Sequence, residues 1–307
     1  MKKGFNELRR DIIDSGLCTC CGTCVGVCPK NAISVNFEAD EPEPILTGEC
    51  SNCGICYAVC PGKEISLLEL DKYCLGRERD FEKDKLGIYS HCLRGYSRNT
   101  HILESSTSGG MVSSLLICAL EEGIIDAVLL AGWREDKPWR CRPFIATNKE
   151  EVLKGIRTGM MIVPINSLLN EAVKERNFSK IAIVGLPCHI HGIRKLQKFG
   201  LPREIVKSIK LTIGLFCSAT YYWEGTKHLL REYGKINNLE DIIAMDYRGG
   251  SSPVGLFVLT RDRKIHFVAS KHDYTWHLLG AASYKRDRCL MCVDFTAELA
   301  DISCGDI

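Results

Sequence analysis

CTCCGTCVGVCP (residues 18–29) and CSNCGICYAVCP (residues 50–61) repeat one arrangement of four cysteines and a closing proline. The first run is Cys18, Cys21, Cys24 and Cys28 before Pro29, and the second is Cys50, Cys53, Cys56 and Cys60 before Pro61. Each reads C-x2-C-x2-C-x3-C-P, the bacterial spacing for a 4Fe–4S cluster. Three closely spaced thiolates can face one cubane, while the fourth, displaced by a turn, reaches across to the other. The spacing therefore predicts two crossed sets, Cys18, Cys21 and Cys24 with Cys60, and Cys50, Cys53 and Cys56 with Cys28. Structural zinc sites rarely carry three cysteines at this double spacing followed by proline, so electron transfer is the preferred reading.

Working outward, residues 15–68 read as an internal repeat in which each run is followed by a short β segment, 32–35 and then 65–68. Residues 76–85 are charged and without period, which reads as linker. Beyond them, helical patterns over 111–122, 166–176, 189–199 and 221–233 alternate with apolar stretches at 125–131, 180–185 and 208–216. Buried, unalternating strands separated by helices indicate a parallel sheet covered on both faces. From residue 242 the pattern turns to shorter strands, such as 255–260 and 264–268. The predicted architecture is a ferredoxin-like two-cluster α+β domain over 1–72, a linker over 73–100, and an α/β domain with a mainly parallel sheet over 101–307.

A chain of 307 residues has room for two domains, and a net charge of +2 argues against a nucleic-acid binder. No apolar run reaches the eighteen or so residues that span a bilayer, so any membrane association comes through a partner. The basic N-terminus lacks a signal-peptide core, so cysteines at cluster spacing place the chain in a reducing cytoplasm.

A second constellation is more open. Cys188 and Cys217 each follow a predicted strand, at the carboxyl edge where open α/β sheets bind ligands. Cys289 and Cys292 could supply a second pair. Four soft ligands suit a third 4Fe–4S cluster or a zinc ion, and buried structural thiols remain a third reading. Residues 105–110, SSTSGG, lead into the helix at Met111. Ser108, Gly109, Gly110 and Met111 could present backbone N–H groups to a dinucleotide pyrophosphate, although the same residues make an ordinary helix start. A G-x-G-x-x-G fingerprint is absent, and the histidines at 189, 191, 266, 272 and 277 form no recognisable triad.

Taken together, Ser108-Gly109-Gly110, Gly185-Leu186-Pro187-Cys188, Gly214-Leu215-Phe216-Cys217, Cys289-Leu290-Met291-Cys292 and Glu298-Leu299-Ala300-Asp301 resemble, in this order, the family of coenzyme F420 hydrogenase/dehydrogenase β subunits, in its form with a fused two-cluster unit. The resemblance implies an oxidoreductase with FAD as cofactor, a third 4Fe–4S cluster at Cys188, Cys217, Cys289 and Cys292, and the deazaflavin F420 as substrate. It implies a redox partner subunit or ferredoxin as the other electron carrier, and no catalytic acid or base. Thr158 and Gly159 correspond to a flavin-side stretch in which the family carries a lysine, here replaced by Gly159. The family also normally continues for some tens of residues past the position of Ile307, which implies either a truncated copy or a flavin-side domain lacking a part. Two alternatives stand beside this reading: the same flavin module acting on a non-F420 substrate, and a non-catalytic iron–sulfur electron-transfer subunit.

Overall fold

The computed structural model describes residues 3–155, 159–250, 253–275 and 283–306. Its centre is a five-stranded sheet ordered β10-β6-β5-β3-β4, made of β3 (Ala127–Trp133), β4 (Cys141–Ala146), β5 (Ile181–Gly185), β6 (Ile209–Leu215) and β10 (Ile302–Cys304). The pairs β3–β5, β5–β6 and β6–β10 are parallel, and only β4 runs antiparallel. The sheet is therefore mixed and mainly parallel. Central β5 is buried at all five residues, as a strand covered on both faces must be. Its side chains alternate between two cores. Leu129, Ile181 and Ile183 meet Leu169, Ile193 and Leu196 on one face. Val128, Leu130, Ala182 and Val184 meet Leu116 and Ile117 of the helix Met111–Glu121 on the other.

The N-terminal unit is built around the antiparallel pair β1 (Ile33–Asn36) and β2 (Glu43–Leu46), with a small core of Phe5, Leu8, Ile12 and Ile33. The unit is not autonomous. Val27 and Val59, both fully buried, belong to the core of the large sheet's first face. A third sheet, β7 (Ile242–Gly249), β8 (Gly255–Thr260) and β9 (Ile265–Ser270), is antiparallel and packs around Tyr247, Trp223 and Tyr274.

Two readings of the sequence are corrected. Residues 65–68 are not a strand; the helix Leu67–Leu75 begins there and packs Leu70 against Ile190 and Leu299. The charged stretch after it is anchored rather than free. Arg79 is buried between Asp71, at 2.5 Å, and Glu298, so a locally paired charge closes a contact across the molecule. Charge alone had signalled solvent there, because pairing partners distant in sequence are invisible to local composition. The expected helix over 166–176 and the one over 221–233 are each split into segments of differing pitch, Ile165–Leu168 with Glu171–Glu175 and Trp223–His228 with Leu229–Tyr233.

Candidate functional site

Each cysteine run enters a short helix, Thr23–Gly26 or Ile55–Ala58, through a glycine with positive φ, Gly22 or Gly54. Only a residue without Cβ enters that turn unstrained, so successive thiols swing to one side. The result is two cavities. The first is lined by Cys18, Cys21, Cys24 and Cys60, together with Cys20, Leu8 and Ile12. The second is lined by Cys50, Cys53, Cys56 and Cys28. Burial, reinforced by repulsion between neighbouring thiolates, pushes Cys56 up to about 12 and Cys60 to about 11. Such a set ionises together only around a positive core, which is what a metal cluster supplies.

The third group lies at the carboxyl edge of the sheet. Cys188 sits in the first turn of the helix Pro187–Phe199 directly after β5, and Cys217 follows β6. The Cys217 N–H donates to Phe295 O at 2.9 Å, which draws the Cys289–Cys292 loop toward it. Burial raises the Cys188 thiol, and the next contributions come from Cys21, Cys217, Cys289 and Cys292. Cys188 is therefore within electrostatic reach of its own group and of the first cavity. The Thr220 N–H approaches Cys289 Sγ at 3.4 Å, and Cys292 Sγ lies 3.6 Å from Asp294 O. Among the described residues no three His, Cys, Asp or Glu side chains close on one point in the manner a single ion requires.

The junction between the first cavity and this group is tightly built. Asn166, fully buried, donates from its backbone N–H to Cys21 O at 3.1 Å and from Nδ2 to Thr23 Oγ1 and His189 O, both at 2.9 Å. Asn170 Nδ2 donates to Cys28 O at 2.8 Å, and Lys195 Nζ donates to Cys60 O at 2.7 Å. Sequence reading missed Thr23, Asn166, Asn170 and Lys195. Comparing the two runs position by position gives Thr23 opposite Ile55 as one of five differences, so the sequence alone does not single it out.

The flavin-side residues divide. Because the helix Met111–Glu121 packs on the sheet and feeds β3 through a short turn, its first residue returns to the carboxyl edge. Its N-terminal N–H groups have no side-chain cap, Gly110 is left-handed at φ 68°, and Ser108 is exposed. That end can receive an anion. The glycines also serve packing, since a Cβ on Gly109 would meet Gly95 O at 3.1 Å and one on Gly110 would meet Ile102 at 2.9 Å. Gly159 reaches the same edge beside Cys141, which pairs with Trp133 at the end of β3. Thr158 lies outside the described residues.

Comparison with known proteins places this architecture. Residues 92–170 match the family model described as coenzyme F420 hydrogenase/dehydrogenase, beta subunit N-term, and residues 178–307 match its C-terminus counterpart. Residues 10–94 match a 4Fe-4S dicluster domain. The coenzyme F420 hydrogenase subunit beta of Methanococcus voltae is 31% identical over 221 residues, covering 72% of this chain and 74% of the relative. An F(420)H(2) dehydrogenase subunit of Methanosarcina mazei is 26% identical, covering 97% of this chain and 77% of the relative. A chain of the F420-reducing [NiFe] hydrogenase complex from Methanosarcina barkeri superposes with a TM-score of 0.59 at 28% identity over 72% of each chain. By these matches, this chain belongs to the family of coenzyme F420 hydrogenase/dehydrogenase β subunits.

Proposed function

We propose that the chain is an iron–sulfur flavoprotein subunit exchanging electrons between reduced coenzyme F420 and a redox partner subunit or ferredoxin. The observation that carries this reading is the pair of four-cysteine cavities in the N-terminal unit, the first joined through Asn166, which bonds Cys21 O and His189 O, to the helix turn that carries Cys188. In this reading Cys18, Cys21, Cys24 and Cys60 hold one 4Fe–4S cluster, and Cys28, Cys50, Cys53 and Cys56 hold a second. Cys188, Cys217, Cys289 and Cys292 hold a third, and Ser108 to Met111 with Thr158 and Gly159 form the FAD side.

When bound, FAD supplies the exchange of a hydride for single electrons and the clusters carry those electrons onward. The protein's own part is placement. The uncapped start of the helix Met111–Glu121 offers N–H groups and a positive dipole end to a pyrophosphate. Val27, Val59 and Leu169, all fully buried, exclude water beside the cluster cavities and keep the local dielectric low. Thr220 directs its N–H at Cys289. No side chain is assigned as acid or base.

A second reading, the same flavin module acting on a non-F420 substrate, is favoured by Gly159, which packs against Cys141 where the family carries a lysine. One experiment separates the possibilities. Anaerobically purified protein should hold about twelve irons, four for each cluster, with one FAD, and its visible absorbance should bleach with F420H2. Full cofactors without bleaching favour the second reading, and about eight irons with no flavin refutes both.

A further inference from the structure

The two cysteine runs are alike in ligand spacing and differ at five positions between the ligands, one of which lies against a ligand sulfur. The first reads Cys21-Gly22-Thr23-Cys24, the second Cys53-Gly54-Ile55-Cys56. Thr23 is fully buried, and its Oγ1 lies 3.2 Å from Cys21 Sγ. Asn166 fixes the direction of that contact. The Asn166 amide must turn Nδ2 toward His189 O, because a carbonyl can only accept, and the same Nδ2 donates to Thr23 Oγ1. The threonine oxygen is thereby occupied as an acceptor, and its own hydrogen is left for Cys21 Sγ. A thiolate at Cys21 can only accept it. The neighbouring helix makes room for the hydroxyl, since a Cβ on Gly192 would lie 2.2 Å from Thr23 Oγ1.

We propose that Thr23 is a positioning residue that raises the reduction potential of the cluster held by Cys18, Cys21, Cys24 and Cys60, with Asn166 holding its hydroxyl in place. The inference rests on the cluster assignment proposed above. Hydrogen bonds to cluster sulfurs stabilise the added negative charge of the reduced state and so raise the potential. The bond is dry and fixed from both ends, which gives it more effect than a solvent-exposed donor. Ile55 can make no such bond, so the second cluster lacks this contribution. The first cluster, at the junction with the third group, thus accepts an electron more readily than it would without the Thr23 hydroxyl. One electron gained by one cluster is one lost by its neighbour, and no proton or bond is exchanged.

The test is a redox titration of the whole protein followed by electron paramagnetic resonance, on wild type, Thr23→Val and Thr23→Ser. Thr23→Val should lower one midpoint by at least a tenfold change in its one-electron equilibrium, about 59 mV, and leave the other two in place. Thr23→Ser should stay with wild type. Unchanged midpoints in an iron-replete Thr23→Val protein, or an equal fall in Thr23→Ser, overturn the proposal. If Thr23→Val fails to load iron, Thr23→Ala supplies the second variant, with the same lowered midpoint expected and an unmoved one decisive against. Wild type without iron would overturn the cluster assignment itself, a failure visible before any variant is compared.

Discussion

The docking of the first cysteine run onto the α/β body should fail at Gly26. Its position leaves no space: a Cβ there would sit 2.0 Å from the backbone oxygen of Asn166 and 3.0 Å from Leu169 Cβ. Ordinary contact needs about 3.5 Å, and backbone cannot rotate away as a side-chain tip could. Gly26→Ala must therefore push the helix Thr23–Gly26 off the segment around 164–169 by roughly 1.5 Å. That retreat stretches three bonds past their limit: Asn166 N to Cys21 O, at 3.1 Å, Asn166 Nδ2 to Thr23 Oγ1, at 2.9 Å, and Asn170 Nδ2 to Cys28 O, at 2.8 Å. At about 1 kcal/mol each, their loss costs about 3 kcal/mol. Residual overpacking adds about 1–3 kcal/mol, and the better helix propensity of alanine returns up to about 1 kcal/mol. A net loss of about 3–5 kcal/mol is a large part of a typical stability of about 5–15 kcal/mol. Thermal melts followed by circular dichroism should show Tm falling by on the order of 10 °C. Gly76→Ala is the control, because nothing lies within 4 Å of its added Cβ and its loss reports only the strain of a side chain at φ 77°, which helical Gly26 does not incur. A fall in Gly26→Ala no larger than in Gly76→Ala would refute the reasoning.

Three further outcomes are expected. Arg79→Met leaves the carboxylates of Asp71 and Glu298 buried without their cation, a loss of about 3–5 kcal/mol in urea unfolding at pH 7. Burial already holds Glu298 above the usual carboxylate range against the pull of Arg79. The folded variant then binds protons that the unfolded chain releases, so its deficit should shrink as pH falls from 7 toward 5; a pH-independent deficit would contradict this. Alkylation at pH 8, read by mass spectrometry, should mark exposed Cys92 and Cys118 in the folded protein and spare Cys141, whose thiol burial pushes up to about 12. Cys292, also exposed, should be spared while iron is bound and marked once it is stripped, so equal labelling in both states would argue against its role as ligand. Gly159→Lys should be destabilising because Cys141 Sγ lies 2.7 Å from the new Cβ, and Cys141→Ala should relieve much of that loss. Additive effects in the double-mutant cycle would show that the two positions are not in contact.

The parts legible in the sequence were those whose cause is local. The C-x2-C-x2-C spacing bends the chain around one point within a few residues, so the grouping of three thiols around each cavity follows from short-range geometry and a turn glycine, and the fourth crosses from the other run. The unbroken apolar run of β5 likewise announces a strand covered on both faces, and with β6 parallel beside it Cys188 and Cys217 had to arrive at one edge. What stayed hidden depends on pairing across the chain. Arg79 looked like a linker charge until Glu298 came beside it. Residues 65–68 had strand composition, but the burial of Leu70 against Ile190 and Leu299 selected a helix. Three-residue β10, Ile302–Cys304, is too short to show a period and is held by its parallel register with Ile213 to Leu215. Asn166 carried no signal at all: an asparagine near a helix start is ordinary, and only the meeting of Cys21, Thr23 and His189 gives it a task.

That last case shows how a duplicated motif can acquire unequal halves. Ligand spacing is the same in both runs, and therefore cannot rank the two cavities. Packing does. A Cβ at Gly22 would meet Ser167 N at 2.6 Å and Pro164 O at 2.7 Å, so the backbone of the first run is pressed directly onto the α/β body. The body answers with Asn166, whose buried Oδ1 is left without a partner while its Nδ2 serves two acceptors. An unpaired buried acceptor costs about 1–3 kcal/mol, which a leucine or alanine would avoid. A residue kept at that cost is better explained by what its donor end does than by stability. Its donor end orients one hydroxyl toward one cysteine sulfur, at the point where the first cavity meets Cys188. The asymmetry between Thr23 and Ile55 thus belongs to the interface, and changes at Asn166 should alter the first cavity's redox behaviour while leaving all twelve candidate ligand cysteines in place.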